Sequence, residues 1–574
     1  MSSDANNTAK IVYTTHIDLC GRGVSDSGQR FCKLVIHGDR GTETLLVREA
    51  QLQDYAAELE AKGANLVTPE AMRELARRIQ ANGLKKPTLK VATRIEIRKF
   101  AMALPGGPYP KTSSFEVALT DVPADLQAKF MVAGNLKGWR KLARLGHGNS
   151  RLICAFSLGF VGPLSAVLGV EHVALQLVGE GGEGKSGIGV VSSSTWGWDP
   201  NPVVADRNGF GQNWNSTVNA LERTLSAYNQ TMLFLNEAGV ADGAGGDRKK
   251  KAAAILDSIF KIEGAVGKAR LTDTGPKRSF FVPVLSTSNK SVIELVELVE
   301  GRRAHSVGGG GIDPAYVDRL ADIPPPAGGY GMFETLHGLA DVAAFVTHLK
   351  RIAAENHGVA GRAFVGRLLK ARRQNRKKLT AWIEARRAFY VEKATAQITS
   401  SSRNLTRLHG KFATIYAAGA MATKFGILPY DKKQIFAAIL ACERDHVRFI
   451  EQHLAVHVAQ PQSHIERLRD YLRRNAPSFI DLRQEGVSVS EDDFLAAPGF
   501  VGEHKRRLEY LFPAEKFEQI LGGRGAADPC KRELLALCLI ATAGAGGEEI
   551  RFVVKRNFGD DRRAVVAVRA EVLG

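Results

Sequence analysis

The chain has 574 residues, with 78 Lys and Arg against 60 Asp and Glu, a formal charge of +18. A chain this long exceeds what one hydrophobic core serves, so three to four domains are expected. A hydrophobic content of 44% and a charged content of 24% exclude a disordered or fibrous chain. The basic excess points to a polyanionic partner, nucleic acid first; the alternative is a merely solubilising surface.

Cys20, Cys32, Cys154, Cys442, Cys530 and Cys538 form no C-x-x-C pair, so they read as free thiols in a reducing compartment. Met1 to Asn7 is polar and lacks the pattern of a secretory leader, so a cytoplasmic protein is expected.

Residues 1–125 read as a small α+β domain. Ile11–Tyr13 and Phe31–Ile36 have strand composition, Leu52–Ala61 and Pro69–Ala81 have helical spacing, and Leu104–Pro108 reads as a loop. Residues 126–150 form a connector. Leu152–Val170 is apolar for nearly a membrane's thickness, but contains Gly159, Gly162, Pro163 and Gly169. It reads as a buried helix beside the next domain, not a span.

That domain, 151–338, carries Gly179-Glu180-Gly181-Gly182-Glu183-Gly184-Lys185-Ser186, which fits G-x-x-x-x-G-K-[ST] at every fixed position. Val173–Val178 reads as a buried strand before it, and apolar residues continue after it. This is the strand–loop–helix setting of a phosphate-binding loop. Gly179, Gly181, Gly182, Glu183, Gly184, Lys185, Ser186 and Gly187 are the predicted ATP-binding residues. Lys185 is expected to reach the β- and γ-phosphates, and Ser186 to ligate Mg²⁺.

Hydrolysis also needs groups on neighbouring strands. Met232–Leu235 followed by Asn236-Glu237 describes a buried strand with a polar tip. Glu237 is the candidate for polarising water, and Asn236 stands on the metal side, where it brings an amide without charge. Phe280–Leu285 reads as a further strand, with Pro283 awkward inside it. Its tip offers Asn289 first and Thr287 second as a γ-phosphate or water contact. Between these strands, Gly264–Arg278 reads as a hairpin whose Lys268 and Arg270 would touch nucleic acid in a ring motor, or as an ordinary basic loop. Arg302, Arg303 and Arg319 are candidates for an arginine supplied across a subunit interface, Arg319 preferred.

Residues 339–460 read as helical throughout. Within Arg362–Arg387, Arg372, Arg373 and Arg376 belong to a run of cations that is either a solvated face or a phosphate-contacting one. His446, His453 and His457 lie at helical spacing without a zinc-site pattern and read as surface histidines. Residues 461–574 end in two strand-like runs, Arg551–Lys555 and Ala564–Val568, a hairpin expected to close a winged-helix-like region.

Gly148–Leu152, the apolar helix, the phosphate loop, Trp214–Glu222, the Asn236-Glu237 tip, Gly267–Arg270 and Arg319–Pro324 occur in the order seen in domain-of-unknown-function family 927. Ala417–Ala422 and Tyr510–Phe517 resemble its C-terminal half. Members of that family are described as superfamily II-like or primase-associated helicases, and some, carried by mobile elements, are similar to ring-forming AAA+ replicative helicases. The resemblance implies a multidomain α/β protein with a P-loop core of AAA+ type having an additional strand, assembled as a homo-oligomer, with a hexameric ring as candidate form. This chain departs from the family in its Glu/Gly-rich loop and in Asn236.

Together these readings predict an ATP- and Mg²⁺-dependent translocase or helicase acting on nucleic acid, DNA first, in replication or maintenance of a mobile element. The alternative is a sensor or scaffold ATPase of a defence system that assembles on DNA or a partner nuclease.

Overall fold

The computed structural model describes residues 16–573 apart from 39–40, 65–68, 84, 87, 170, 215–217, 238–244, 265–279, 301–313, 399–404, 459–463, 485 and 544–549. The chain divides into two compact units. The first spans Met1–Gly301 and Ile312–Ile450, the second chiefly Glu451–Gly574. It is a mixed α/β, multidomain protein.

The first unit opens with a five-stranded sheet in the order Gly41–Arg48, Arg30–Gly38, Ile17–Ser25, Thr88–Ala92, Glu116–Val117. Buried Cys32, Leu34 and Ile36 pack with Leu59, Met72, Leu75 and Ile79, which come from the two helical stretches expected from spacing. The second stretch forms one helix, Pro69–Gly83, whereas the first is a 3-10 turn, Glu49–Tyr55, continued by Ala56–Ala61. The expected strand at Ile11–Tyr13 lies outside the described residues. Leu104–Pro108 is more ordered than a loop. Met102–Leu104 and Gly107–Tyr109 pair as a hairpin around Pro105-Gly106, with Gly106 at φ +86° in the position after proline that demands it.

A second sheet of five parallel strands forms the centre of this unit: β1 (Ala174–Val178), β2 (Gln212–Asn213), β3 (Leu233–Asn236), β4 (Val284–Ser288) and β5 (Ala321–Ile323). Their order is β2-β3-β4-β1-β5, so β4 is inserted between β1 and β3. Every residue of β1, β3, β4 and β5 is buried, the pattern of a parallel sheet covered on both faces. β4 begins one residue after Pro283, later than the composition suggested, because proline has no N–H to give a central ladder.

A chain of side-chain hydrogen bonds crosses this sheet. Trp214 Nε1 donates to Ser286 Oγ at 2.8 Å, Ser286 Oγ to Gln176 Oε1 at 3.1 Å, and Gln176 Nε2 to Asp322 Oδ1 at 2.8 Å; Asp322 Oδ2 accepts from the Val292 N–H at 2.8 Å. Satisfied in this way, the polar side chains of the sheet's interior avoid the cost of unpaired burial.

α1 (Lys185–Ser193) follows β1. α2 (Val342–Glu355), α3 (Val359–Gln397), α4 (Leu405–Lys424) and α5 (Lys432–Val458) supply the expected helical region. α3 is interrupted at Asn375, whose backbone leaves the helical region and whose side chain accepts from the Lys378 N–H at 2.8 Å, an N-cap for the second segment. The apolar stretch after Leu152 is not one helix. It folds as Ser150–Leu158 and Val161–Leu164, wholly buried, broken at Gly159-Phe160. Among the described residues no helix is long and apolar enough to cross a membrane.

The second unit is a five-stranded sheet in the order Ile480–Asp481, Phe500–His504, Arg507–Phe512, Asp561–Arg569, Val554–Phe558. Alternation along Asp561–Arg569 splits its core. Val566 and Val568 pack with Leu468, Phe512, Phe517 and Leu534 on one face, while Val565 and Ala567 pack with Phe494, Phe500 and Phe558 on the other. The expected terminal hairpin forms with Phe558 opposite Asp561, its first strand lying three residues later than the sequence indicated.

Candidate functional site

The loop after β1 and the first turn of α1 border a cavity of about 660 Å³. All of the predicted loop residues except Gly179 line it, as do Thr287 near the end of β4 and Glu237 and Asn289 just beyond the tips of β3 and β4. Strands parallel and adjacent deliver their C-terminal ends to one edge, so residues distant in sequence meet there. Gly184 stands at the N-cap of α1 with φ +89°, and a Cβ there would lie 2.4 Å from Phe333 Cε2. Only glycine satisfies both demands.

Lys185 is 7% exposed. Its ammonium donates to the Gly179 carbonyl at 2.9 Å and to that of Glu180. Burial lowers its pKa, and the carboxylates of Glu183 and Glu180 oppose that shift. Ser186 Oγ donates to Asn236 Oδ1 at 2.8 Å, and Thr287 Oγ1 donates to the same oxygen at 2.9 Å. Thr287 Oγ1 in turn accepts from the Glu237 N–H at 3.1 Å. Glu237 takes φ +55°, which turns the chain at the strand tip and leaves its side chain exposed toward the cavity.

The other half of the Asn236 amide is equally fixed. Nδ2 donates to the Arg207 carbonyl at 3.1 Å and to Asn208 Oδ1 at 3.2 Å. These acceptors set the amide's orientation, so its oxygen, not its nitrogen, faces Ser186. A hydroxyl and an amide oxygen side by side fit a hard cation such as Mg²⁺ whose remaining ligands are phosphate oxygens and water. Such a site would draw its negative charge from the nucleotide and from Glu237.

Other predicted residues stand apart. Arg319 ends the helix Pro314–Arg319 directly before β5, half-buried, and does not line the cavity. Arg372, Arg373 and Arg376 flank the interruption of α3, also away from the cavity, with Arg373 and Arg376 exposed. Lys268, Arg270, Arg302 and Arg303 lie outside the described residues.

The reading of His446 as a surface group is corrected. It is 2% exposed and its Nδ1 donates to the Asp322 carbonyl at 2.8 Å. Burial, with the Lys411 ammonium nearby, lowers its pKa to about 4. His453 and His457 have no described side chains.

Sequence reasoning passed over Arg207, Asn208 and the α2 residues Val342, Ala343 and Val346, which complete the site. Asn208-Gly209 reads as a helix end, which it is. Val342 and Val346 read as a core-facing pair, since i, i+4 valines carry no chemical signal.

Residues 2–279 match the family model described as Domain of unknown function (DUF927). No curated protein matches the sequence. Among solved structures the chain is similar to "SCCmec type IV Cch - active helicase", at 15% identity and a TM-score of 0.54, over 97% of this chain and 94% of that one. At that identity the likeness is one of fold. Two structures of the NrS-1 C-terminal region cover 72% and 99% of this chain and match over 89% and 100% of their own lengths. They show 12% identity, with TM-scores of 0.27 and 0.28, too slight a likeness to carry an argument.

Proposed function

Because residues 2–279 match the DUF927 family model, we propose that this chain is an ATP-dependent nucleic-acid translocase or helicase, working as a homo-oligomer on a mobile element. The observation that carries the reading is the single cavity in which the phosphate loop faces Glu237, Thr287 and Asn289. The strand order supports a P-loop core of AAA+ type, with β4 as the additional strand separating the loop strand from the strand that ends in Asn236.

In this mechanism the loop amides and Lys185 hold the phosphates of ATP. Ser186 and the Asn236 oxygen would hold Mg²⁺, directly or through water, and Glu237 takes a proton from the water that attacks the γ-phosphate. Mg²⁺ neutralises developing phosphate charge when bound. Thr287 ties the backbone of Glu237 to the Asn236 amide, so the catalytic and metal-side groups keep one spacing. Arg319, outside its own cavity, serves the neighbouring subunit's. The cations at the interruption of α3, with Lys268 and Arg270, contact DNA phosphates.

The same reading assigns 1–125 to an α+β domain, 126–150 to a connector, 151–338 to the ATPase core, 339–460 to a helical domain and 461–574 to a winged-helix-like domain whose wing is built into a larger sheet. It places the protein in the cytoplasm. The uncharged Asn236 favours a second reading, a slowly switching sensor or scaffold ATPase. ATP turnover measured with and without single-stranded DNA separates the two. Stimulation by DNA, abolished by Lys185→Ala, supports the motor. Turnover unaffected by Lys185→Ala removes the nucleotide site, and DNA-independent turnover favours the scaffold.

A further inference from the structure

The loop and strand tips account for the phosphate end of a nucleotide; the cavity's other wall is α2. This helix lies directly on the phosphate-loop helix. A Cβ at Gly187 would fall 2.6 Å from Val346 Cγ1, and one at Gly184 would fall 3.3 Å from Val342 Cγ1. Val342, Ala343 and Val346 therefore line the cavity in continuity with the loop, on a helix N-capped by Asp341, whose side chain accepts from the Ala344 N–H at 2.8 Å. The two lysines at the cavity's edge are engaged elsewhere. Lys350 donates to Asp206 at 3.1 Å and Lys290 to Glu294 at 2.7 Å. The α2 wall thus offers methyl groups, and its side chains bring no carboxylate or amide to read the edge of a base.

We propose that α2 is the platform for the nucleoside, packing base and ribose against Val342, Ala343 and Val346, and that it accepts the four ribonucleoside triphosphates with little discrimination. The proposal rests on the nucleotide-site reading above. An apolar wall separates ligands by shape alone. Rejection by several orders of magnitude requires buried polar groups that the wrong ligand leaves unpaired. The cavity's volume lies within the range of small-molecule sites, so the triphosphate and a nucleoside of either size are accommodated.

The test is equilibrium binding of ATP, GTP, CTP, UTP and inorganic triphosphate, each with Mg²⁺, to the full chain. The four nucleotides are expected to bind within about tenfold of one another. The double variant Val342→Thr, Val346→Thr keeps side-chain shape and places hydroxyls on the wall. It should weaken all four by about tenfold while leaving inorganic triphosphate unchanged. Ala343→Trp, at an exposed position that tolerates bulk, should shift nucleotide affinity by roughly fivefold or more without moving that of triphosphate. A preference for one base of roughly a hundredfold or more would overturn the absence of base reading. Nucleotide affinities unchanged in both variants would overturn the platform, while Lys185→Ala still abolishing binding would leave the nucleotide site intact. Binding of neither nucleotides nor triphosphate would remove the site itself, and the platform with it.

Discussion

Replacing Asn236 by Asp would restore the acid usual beside a phosphate loop, and the structure predicts a cost. Asn236 is 3% exposed and its amide makes four hydrogen bonds. In the Asp variant one carboxylate oxygen keeps the bonds from Ser186 and Thr287. The other meets the Arg207 carbonyl and Asn208 Oδ1, two acceptors, where the wild type placed a donor. Each lost bond removes about 1 kcal/mol, and each acceptor left facing a buried oxygen adds about 1–3 kcal/mol. Asn208 can turn its amide to donate, recovering one of the two contacts. The net loss is then about 2–4 kcal/mol without divalent cation. Mg²⁺ with nucleotide should return part of it, since the new charge binds the cation. The assay is thermal unfolding in EDTA and in Mg²⁺ with a non-hydrolysable ATP analogue. Asn208→Ala in both backgrounds completes a double-mutant cycle. It removes an acceptor from the amide in wild type and a donor to the carboxylate in the Asp variant, and since a hydrogen bond to a charged group is the stronger, the double variant should lose more than the sum. An Asp variant as stable as wild type in EDTA, or a strictly additive cycle, would refute the reasoning.

Glu237→Gln should retain ATP binding and lose turnover by on the order of a hundredfold; full turnover in a single-turnover assay would assign the base elsewhere. Gly184→Ala forces a left-handed φ on alanine and drives its Cβ into Phe333, for about 2–4 kcal/mol of destabilisation; an unchanged melting temperature counts against the loop geometry. For His446, the folded pKa near 4 lies below the ordinary value, so the folded state binds fewer protons than the unfolded one. The stability is fully present above about pH 6.5 and falls by about 3 kcal/mol as pH drops to about 4. His446→Gln, which keeps a donor for the Asp322 carbonyl, should flatten that part of the pH–stability curve, and a curve identical to wild type would exclude His446 as its source. Replacing Arg372, Arg373 and Arg376 by Gln should reduce the slope of log affinity against log salt for single-stranded DNA by roughly two, as fluorescence anisotropy would report; an unchanged slope would take these arginines out of the interface.

Much of the central sheet was legible because parallel strands buried on both faces read as continuous apolar runs, as in Val173–Val178 and Met232–Leu235. The loop was legible because glycines and a lysine at fixed spacing have few other uses. What escaped depends on tertiary approach. Pro283 marked where β4 begins, but only the pairing of Ser286 with Gln176 and Leu235 shows that the strand continues through the polar residues. Charge and helical spacing placed His446 at the surface, whereas packing around β5 buries it. Asn208 gained its role from the fold bringing its helix's end beside β3. The bounds of the terminal hairpin shifted because Phe558 packs inward with Phe494 and Phe500 and so extends the first strand to the turn.

The crosswise chain from Trp214 through Ser286 and Gln176 to Asp322 has a consequence for descent. Each member is buried, and each depends on a partner drawn from a different stretch of sequence. An apolar replacement at one position strands the next, so a lineage leaves this arrangement only by changing several positions together. Homologues should therefore fall into two groups, one keeping the four polar identities as a block and the other replacing them together by hydrocarbon, with few intermediates. Asp322 should be the last member to be lost, since it also receives the first amide of the helix Val292–Glu300.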